Sequence, residues 1–432
     1  MRFIHTADWH LGRLFHTVHL TDDQQYVLGQ FVDLVADVRP TAVLIAGDIY
    51  DRGVPPTEAV ELLNDVLERI VRGLGVPVVL IAGNHDSPSR LGFGSQFLAT
   101  EGLHIAGRLP GGGALAVPFA DDDGVLLVQA VPYADPIEVR ATLGEPDIQT
   151  HEQAMRALVA RAHCATPANA RSVLVGHAFV AGAQTSDSER PLSVGGAGAV
   201  PAALFEGFDY VALGHLHRPQ RVGGDAVRYA GSLLTYSFDE VAQRKSVSIV
   251  EIGAPGSAVP QAAGVAAAAG AAAADALGGD AADREASEAV GGAAIAAPPT
   301  ASRSARVSVE QVELQPRRRV RVLEGTLREL LDRAPADQAR DDYICARLTD
   351  PGALLNAMAQ LQQAYPNCLH LEFPRVALPA GAGDGLAALA TRSETDHFAD
   401  FFALVTDEQL SAAERDALGG VVERLERQWR ET

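Results

Sequence analysis

Hydrophobic and polar positions along residues 1–250 alternate in a way that predicts strands and helices in turn. Short apolar runs predict buried strands, and the longer run Glu58–Val71, with apolar residues at helical spacing, predicts a helix. Pro55-Pro56 precede that helix at positions that a helix start tolerates, and Ser87-Pro88 predict a further helix cap. The predicted strands are Thr41–Ala46, Val76–Ala82, Val125–Val131, Ser172–Val175, Asp209–Leu213, Val227–Gly231 and Ser246–Ile252.

This order of elements predicts an α/β (α+β) fold, a central β-sandwich flanked by helices, in a first domain at residues 1–252. Residues 253–305 then change abruptly to Ala, Gly, Pro and Ser. They contain too few large apolar side chains to offset the entropy of ordering, which predicts a disordered insertion. Because both flanks, Ser246–Ile252 and Arg306–Leu314, have strand character, the insertion lengthens what would otherwise be a hairpin turn.

A second, smaller α+β domain is predicted at residues 306–380. Its alternating elements are the strand Arg317–Val322, the helix Thr326–Arg333, the strand Tyr343–Leu348, the helix Ala353–Gln363 and the strand Leu369–Phe373.

The carboxy-terminal segment at residues 390–432 is predicted to be helical. Its phenylalanines cluster ahead of a helix that begins near Asp407 and ends near Arg430. Apolar side chains at a chain end predict a docking element for a partner, with a small local core as the alternative.

Composition narrows the class of protein. The 432 residues are 47% hydrophobic, enough for a large core, and the formal net charge of -20 argues against a protein that coats nucleic acid by bulk electrostatics. Bound cations and local basic patches can still offset that field where a substrate lies.

Cysteine usage and hydropathy bear on the compartment. Three widely spaced cysteines fit neither a disulfide framework nor a zinc module, so we expect a reducing compartment. The strand-like start Met1–His5 and the weakly apolar alanine-rich run, interrupted by Gly270 and Asp275, predict a cytoplasmic protein with no membrane segment.

Five predicted strand ends carry residues that bind metals. Loops at one rim of a sheet deliver side chains into a shared crevice, so we expect these five to meet. They are Asp8-Trp9-His10, Gly47-Asp48, Gly83-Asn84-His85-Asp86, Gly176-His177 and Gly214-His215-Leu216-His217.

The donor types predict a centre with two divalent cations. Asp8 and His10 would leave the same face of an extended chain, as would His215 and His217, and Asp48 could bridge both ions. Mixed oxygen and nitrogen ligands suit octahedral ions such as Mn²⁺ better than sulfur-bound zinc. The predicted ligands are Asp8, His10, Asp48, Asn84, His177, His215 and His217.

Two such ions can activate water for an in-line attack on phosphorus. His85 directly follows Asn84 and is a candidate proton donor to the leaving oxygen, with Asp86 as its predicted orienting partner.

These motifs resemble those of a known family, the calcineurin-like metallophosphoesterases. Within that superfamily the chain resembles the nuclease subunits of bacterial SbcC–SbcD complexes, and the likeness is close over the first 250 residues. Three further stretches support it: Thr6–Gly12, Tyr229–Ser232 and Ser237–Glu240.

The resemblance implies a division of the ligands and a catalytic residue. Asp8, His10, Asp48 and His217 would hold one cation. Asp48, Asn84, His177 and His215 would hold the other, and His85 would donate the proton.

The resemblance also implies an activity and partners. The expected enzyme is a manganese-dependent phosphodiesterase with 3′–5′ exonuclease activity on double-stranded DNA and endonuclease activity on single-stranded and hairpin DNA. It would process DNA ends in repair, recombination and replication. The expected assembly is a homodimer joined to an SbcC-type coiled-coil ATPase in a nucleoid-associated heterotetramer. The small domain would cap the DNA cleft, and the terminal helices would bind the root of the coiled coil.

Other residues have two interpretations each. Asp51, a histidine in archaeal and eukaryotic relatives, either supports the metal centre or caps a loop. His16 is a candidate DNA contact, with a surface role as the alternative. Arg317, Arg318 and Arg319 either track DNA phosphates or form the solvated face of a strand.

Two other functions compete with the nuclease hypothesis. One is a metallophosphoesterase for nucleotides or other small phosphate esters, which needs neither a capping domain nor a docking segment. The other is a subunit that mainly tethers DNA ends, which has no chemical need of seven metal ligands and His85.

Overall fold

A computed structural model of the chain describes residues 1–190, 198–255, 305–351, 354–373 and isolated positions between 398 and 419. The predicted insertion and the predicted docking segment lie almost wholly outside these residues. The strands are β1 Arg2–Thr6, β2 Leu14–Phe15, β3 Val18–His19, β4 Ala42–Ile45, β5 Val78–Ile81, β6 Leu103–Ala106, β7 Leu115–Asp121, β8 Gly124–Val131, β9 Arg171–His177, β10 Phe179–Val180, β11 Ala199–Val200, β12 Tyr210–Gly214, β13 Gln220–Arg221, β14 Val227–Tyr229, β15 Ser246–Pro255, β16 Ala305–Glu313, β17 Val320–Gly325, β18 Tyr343–Leu348 and β19 Cys368–Glu372. The α-helices are α1 Thr21–Val38, α2 Thr57–Leu67, α3 Pro88–Leu91, α4 Ser95–Leu98, α5 Pro136–Leu143, α6 His151–Ala165, α7 Leu327–Arg333 and α8 Ala357–Ala364.

Two six-stranded sheets form the first domain. The strand order is β16-β15-β1-β4-β5-β6 in one sheet and β13-β14-β12-β9-β8-β7 in the other. The central strands of each sheet are parallel, so their carboxyl ends lie at one edge. Strands β4 and β9 are buried along their whole length, as expected of parallel strands that are covered on both faces.

Apolar packing makes these sheets the inner layers of a four-layer structure. Side chains from both sheets, among them Phe3, Leu44 and Val173, form the core between them. Helices α1 and α2 cover the outer face of the first sheet through residues such as Phe31, and α6 covers the second through residues such as Leu158. The predicted β-sandwich flanked by helices is confirmed.

The small domain is a parallel three-stranded sheet, β17-β18-β19, with α7 and α8 packed on it. A capping box starts α7, in which the Thr326 hydroxyl accepts from the Glu329 N–H. The domain contacts the first one where the Tyr343 hydroxyl donates to Asp23 Oδ2 at 2.8 Å.

Two predicted boundaries after the insertion differ from the structure. Strand β16 pairs with β15 along its length, so residues 305–313 belong to the first domain's sheet and not to the small domain that was predicted to begin at 306. The strand predicted from Arg317 begins only at Val320, because the Arg318 side chain donates to Asp23 and the Arg319 N–H donates to Asp342.

Two predicted helices also end or begin differently. The helix predicted to reach Val71 ends at Leu67 and widens into a π-helical turn, Glu68–Gly73. Helix α3 does begin after Ser87, but the Ser87 side chain makes no capping hydrogen bond.

Among the helices in the described part of the chain, none has the length and hydropathy that crossing a bilayer requires.

We expect Gly214→Ala to lower stability by about 1–3 kcal/mol, the usual cost of overpacking. A Cβ at Gly214, the last residue of β12, would collide with the Ala46 carbonyl oxygen. Gly176→Ala is the matched control, because its Cβ would lie 3.6 Å from Leu213 Cδ2, an ordinary contact. Urea denaturation of both variants measures the difference, and equal midpoints would contradict the expectation.

Candidate metal centre

The carboxyl ends of parallel strands from both sheets meet at one edge and bring all seven predicted ligands together. The first sheet contributes the loops after β1, β4 and β5, and the second contributes the end of β9 and the loop after β12. All are buried except Asn84, which is partly exposed: Asp8, His10, Asp48, Asn84, His177, His215 and His217.

The backbone at four of these ligands is not extended, so the prediction that alternation along an extended chain orients Asp8 with His10 and His215 with His217 was wrong. Asp8 (φ 53°), His10 (φ 46°), Asp48 (φ 48°) and His215 (φ 107°) all have positive φ. Hydrogen bonds between loops hold this unusual backbone, for example from the Asp8 N–H to the Gly47 carbonyl at 3.1 Å. Strained backbone of this kind persists only where its surroundings determine it, typically at functional sites.

The imidazoles of His10 and His217 face each other at the position predicted for the first cation. Their Nε2 atoms lie 3.0 Å apart. His217 Nδ1 lies 3.2 Å from Glu240 Oε1, and because a carboxylate only accepts, Nδ1 carries the hydrogen and Nε2 keeps its lone pair. His10 Nε2 is also 3.6 Å from Asp48 Oδ2. Acceptor atoms therefore converge on this position.

A similar convergence occurs around His177. Its Nδ1 lies 2.9 Å from the Ala46 carbonyl oxygen and donates to it, so Nε2 keeps its lone pair. That Nε2 is 2.8 Å from Asn84 Oδ1 and 3.5 Å from Asp48 Oδ2. Asn84 Oδ1 also lies 3.1 Å from His215 Nδ1, which brings all the residues of the second predicted set into contact.

The donor set fits divalent cations. Asp8 Oδ2 is buried and has no hydrogen-bond partner among the described residues, as a carboxylate oxygen reserved for a cation would be. Ligand atoms of Asp8, Asp48 and His177 lie within 4.8 Å of one another, as do those of His10, Asp51 and His85. Oxygen and nitrogen donors without sulfur suit Mn²⁺ or similar ions.

Burial sets the protonation states. It lowers the pKa of His10 to about 3 and also lowers that of His177, His215 and His217, which keeps the imidazoles neutral as metal binding requires. Burial, and then the charge of Asp48, raise the pKa of Asp8 well above its usual range. These effects favour a cation next to Asp8.

His85 lies beside the ligands with its ring 4.7 Å from that of His10. Its Nδ1 is 2.8 Å from the Asp51 carbonyl oxygen, which fixes the ring and leaves Nε2 available for proton transfer. The prediction that Asp86 orients His85 was therefore wrong. Asp86 instead accepts from the backbone N–H groups of Ile49, Tyr50 and Gly83 at 2.9–3.1 Å and ties two loops together.

The Asp51 carboxylate lies next to the predicted ligands. It accepts from Arg13 Nη1 at 3.0 Å and lies 3.4 Å from His10 Nδ1, without the alignment of a hydrogen bond. These contacts favour the support of His10 over the alternative of a loop cap.

The candidate DNA contacts lie outside the cluster of predicted ligands. The exposed His16 ring stacks on His370 of the small domain, with centroids 5.3 Å apart. Arg318 pairs with Asp23 at 2.9 Å and Arg317 lies 3.8 Å from Asp22, so neighbouring carboxylates offset both charges. Within the described residues, the exposed Arg319 side chain has no such partner.

Sequence reasoning missed several residues around the centre. Tyr133 follows β8, donates its N–H to the Ala82 carbonyl at 2.9 Å, and places its ring 6.3 Å from that of His177. It follows a strand as the ligands do, but tyrosine is not a usual metal ligand, so its residue type gave no signal. Glu240 lies in the stretch Ser237–Glu240, yet nothing in its spacing indicated that it contacts His217.

Comparisons with known proteins match both domains. Residues 1–219 match the calcineurin-like phosphoesterase family. Residues 316–406 match a family described as the type 5 capsule protein repressor C-terminal domain.

Curated relatives match along most of the chain. The D subunit of nuclease SbcCD from Staphylococcus epidermidis is 28% identical over 422 residues, 97% of each chain. The protein of the same name from Staphylococcus saprophyticus is 29% identical over 371 residues, 86% of this chain and 84% of the relative. The crystal structure of the calcineurin-like phosphoesterase YfkN from Bacillus subtilis aligns with 58% of this chain and 84% of that chain at a TM-score of 0.33 and 14% identity, too weak a match to support an inference.

We expect Mn²⁺ to raise the thermal unfolding midpoint, since a ligand at a hundredfold excess over its Kd stabilises by about 2.7 kcal/mol. The increase should shrink as the pH falls, because protons compete for Asp8, whose pKa burial has raised. Asp8→Asn should show a much smaller increase, and Asp135→Asn, at an exposed carboxylate, serves as the control. Equal increases in Asp8→Asn and wild type, measured by calorimetry, would refute a cation site at Asp8.

Proposed function

The chain belongs to the calcineurin-like phosphoesterase family, and from this we propose that it is the nuclease subunit of an ATPase-driven complex that processes DNA ends. The observation that carries the proposal is the match, over 97% of both chains, to a protein named as the D subunit of nuclease SbcCD. A metal-centre match alone would leave the substrate class open. The match here extends through the small domain, which also belongs to a recognised family.

The chemistry that we propose is hydrolysis of a phosphodiester bond at a centre of two divalent ions, taken to be Mn²⁺. Such a pair, when bound, orients and deprotonates water and stabilises the charge that develops on the phosphoryl group. Asp8, His10, Asp48 and His217 would hold one ion, and Asp48, Asn84, His177 and His215 the other. The position of Asp48 between His10 and His177, at 3.6 and 3.5 Å, supports a bridging role.

His85 acts as the proton donor in this proposal. Its Nδ1 is occupied by the Asp51 carbonyl oxygen, so a proton delivered to substrate leaves from Nε2. The ring is partly exposed, in contrast to the buried rings of His10 and His177, and it can therefore reach a leaving 3′ oxygen from the solvent side.

The small domain would cap the DNA cleft. It meets the loop after the first motif through stacked rings, since His370 of β19 lies 5.3 Å from His16 and 6.1 Å from Phe238. Because His16 lies in the loop that follows Asp8 and His10, its contact with His370 supports a capping role for the small domain. A substrate that reaches the ions would run along it.

Assembly with partners completes the proposal. The net charge of -20 predicts weak DNA affinity for the isolated chain, so an SbcC-type coiled-coil ATPase would supply much of the affinity for double-stranded or hairpin DNA. Phe93 and Phe97, 86% and 82% exposed, are candidates for a homodimer surface within a heterotetramer. The proposed docking segment for the ATPase, 390–432, lies almost wholly outside the described residues.

We expect His85→Ala to reduce Mn²⁺-dependent cleavage of a labelled hairpin-ended duplex by about a hundredfold to ten-thousandfold, the usual contribution of a general acid. Metal binding, followed by calorimetry, should persist because His85 is not among the proposed ligands. A His104→Ala variant, changed at a histidine on the edge strand β6 and outside the predicted ligands, is the control and should cleave normally.

A generic phosphate ester assayed in parallel separates the competing functions. Turnover of the ester with no cleavage of DNA, even with the ATPase and ATP present, would indicate a small-substrate phosphoesterase. Normal binding of DNA and partner without turnover of either substrate would indicate a tether.

We expect Arg319→Gln to weaken DNA binding by the assembled complex at all sequences and to reduce the slope of log affinity against log salt by about one. Arg318→Gln should change the slope less, since Asp23 already offsets its charge. Arg156→Gln, on the outer helix α6, is the control. Fluorescence anisotropy over a salt series measures all three, and an unchanged slope for Arg319→Gln would exclude it as a phosphate contact.

A further inference from the structure

Three charged side chains hold His217 at three different points. Glu240 faces the imidazole, Glu189 accepts from the main-chain N–H at 2.7 Å, and Lys245 donates to the main-chain carbonyl at 2.8 Å. From this arrangement we propose that Glu240, fixed by Lys245, is a positioning residue that aims His217 Nε2 at one of the two cations. The inference rests on the two-metal centre proposed above.

The contacts of the His217 imidazole define its tautomer. His217 Nδ1 donates to the Ser188 hydroxyl at 2.5 Å and lies 3.2 Å from Glu240 Oε1, while the Ser188 hydroxyl itself donates to Glu240. The hydrogen of the ring is thereby fixed on Nδ1, and Nε2 presents its lone pair to the centre. A carboxylate behind a ligating imidazole also makes the imidazole a stronger donor to metals.

Lys245 in turn fixes Glu240. Its ammonium group lies 2.8 Å from Glu240 Oε2, 3.0 Å from the Ser232 hydroxyl and 2.9 Å from Gln243 Oε1. Glu240 Oε2 also accepts from the Tyr236 N–H at 3.0 Å, so Oε1 remains free to face His217. Both carboxylate oxygens therefore have defined roles.

Stability alone does not account for this pair. Glu240 is fully buried and Lys245 is 8% exposed. Removing two charges from water costs about as much free energy as their attraction returns, and apolar residues of similar volume often stabilise as well or better. A buried ion pair that contacts a predicted metal ligand is better explained by its effect on that ligand.

Two other predicted ligand histidines are held differently. His177 Nδ1 donates to a neutral backbone carbonyl, that of Ala46. His10 Nδ1 lies 3.4 Å from Asp51 Oδ1 without hydrogen-bond alignment. Of these three histidines, His217 has the most charged contacts, so loss of Glu240 should affect the cation that His217 binds and spare the other.

The test measures Mn²⁺ binding by isothermal titration calorimetry without DNA. In Glu240→Gln, one of the two ions should bind about ten- to a hundredfold more weakly, the usual effect of removing such a partner, while the other keeps its wild-type affinity. Glu251→Gln is the matched control, since Glu251 is paired with Arg2 in an exposed contact between β15 and β1.

A double variant, Glu240→Gln with Lys245→Met, separates positioning from simple charge balance. It removes the buried cation that Glu240→Gln would leave unpaired, so the thermal midpoint should recover toward wild type. The affinity for the one ion should stay low, because no carboxylate orients His217.

Two outcomes would overturn the inference. One is recovery of metal affinity together with stability in the double variant, and the other is equal weakening of both ions in Glu240→Gln. A wild-type protein that binds fewer than two ions would overturn the two-metal centre itself, and this result is distinguishable from the other two because it needs no variant.

Discussion

The main constraint on this structure is that it holds several hydrogen-bond acceptor atoms close together in a buried space. Asp8 and Asp48 bring negative charge to the meeting point of two sheets, and His177 and His217 turn lone pairs toward the same space, next to Nε2 of His10. Without cations such a group repels itself, so packing elsewhere in the sandwich must hold it together. Both inner sheets contribute, and the core of Phe3, Leu44 and Val173 between them fixes the distance across which the ligands meet.

Carboxylates at the centre have two different roles. Asp8 and Asp48 point into the cation space. Asp86, Glu189 and Glu240 point away from it and accept from backbone N–H groups or from an imidazole of the ligand loops. These three carboxylates take the place of strand hydrogen bonds, because the N–H groups of loops with positive φ cannot pair with a neighbouring strand. Part of the chain's acidic character therefore comes from holding loops in place.

Strand positions, and the meeting of the seven predicted ligands at one end of the strands, could be predicted from sequence, because buried parallel strands appear as continuous apolar runs and their ends carry polar side chains. The loop geometry could not. Asp8 and His10 have positive φ because hydrogen bonds to the loop after β4 require it, and alternation along one segment contains no information about that partner. The basic run at Arg317–Arg319 was misread as a strand for the same reason, since Asp23, almost three hundred positions earlier, binds one of its members. Glu240 acts through a contact with His217 that no local pattern encodes.

The pairing of Pro255 with Ala305 has a practical consequence. It fixes the two ends of the intervening segment side by side, whatever the number of residues between them. Strand β15 runs antiparallel to β1, so this junction lies at the sheet edge opposite the ligand loops. A reporter domain or an affinity tag inserted between these two residues would be carried on the far side of the sandwich, and the chain could be labelled or immobilised there with its catalytic face unobstructed.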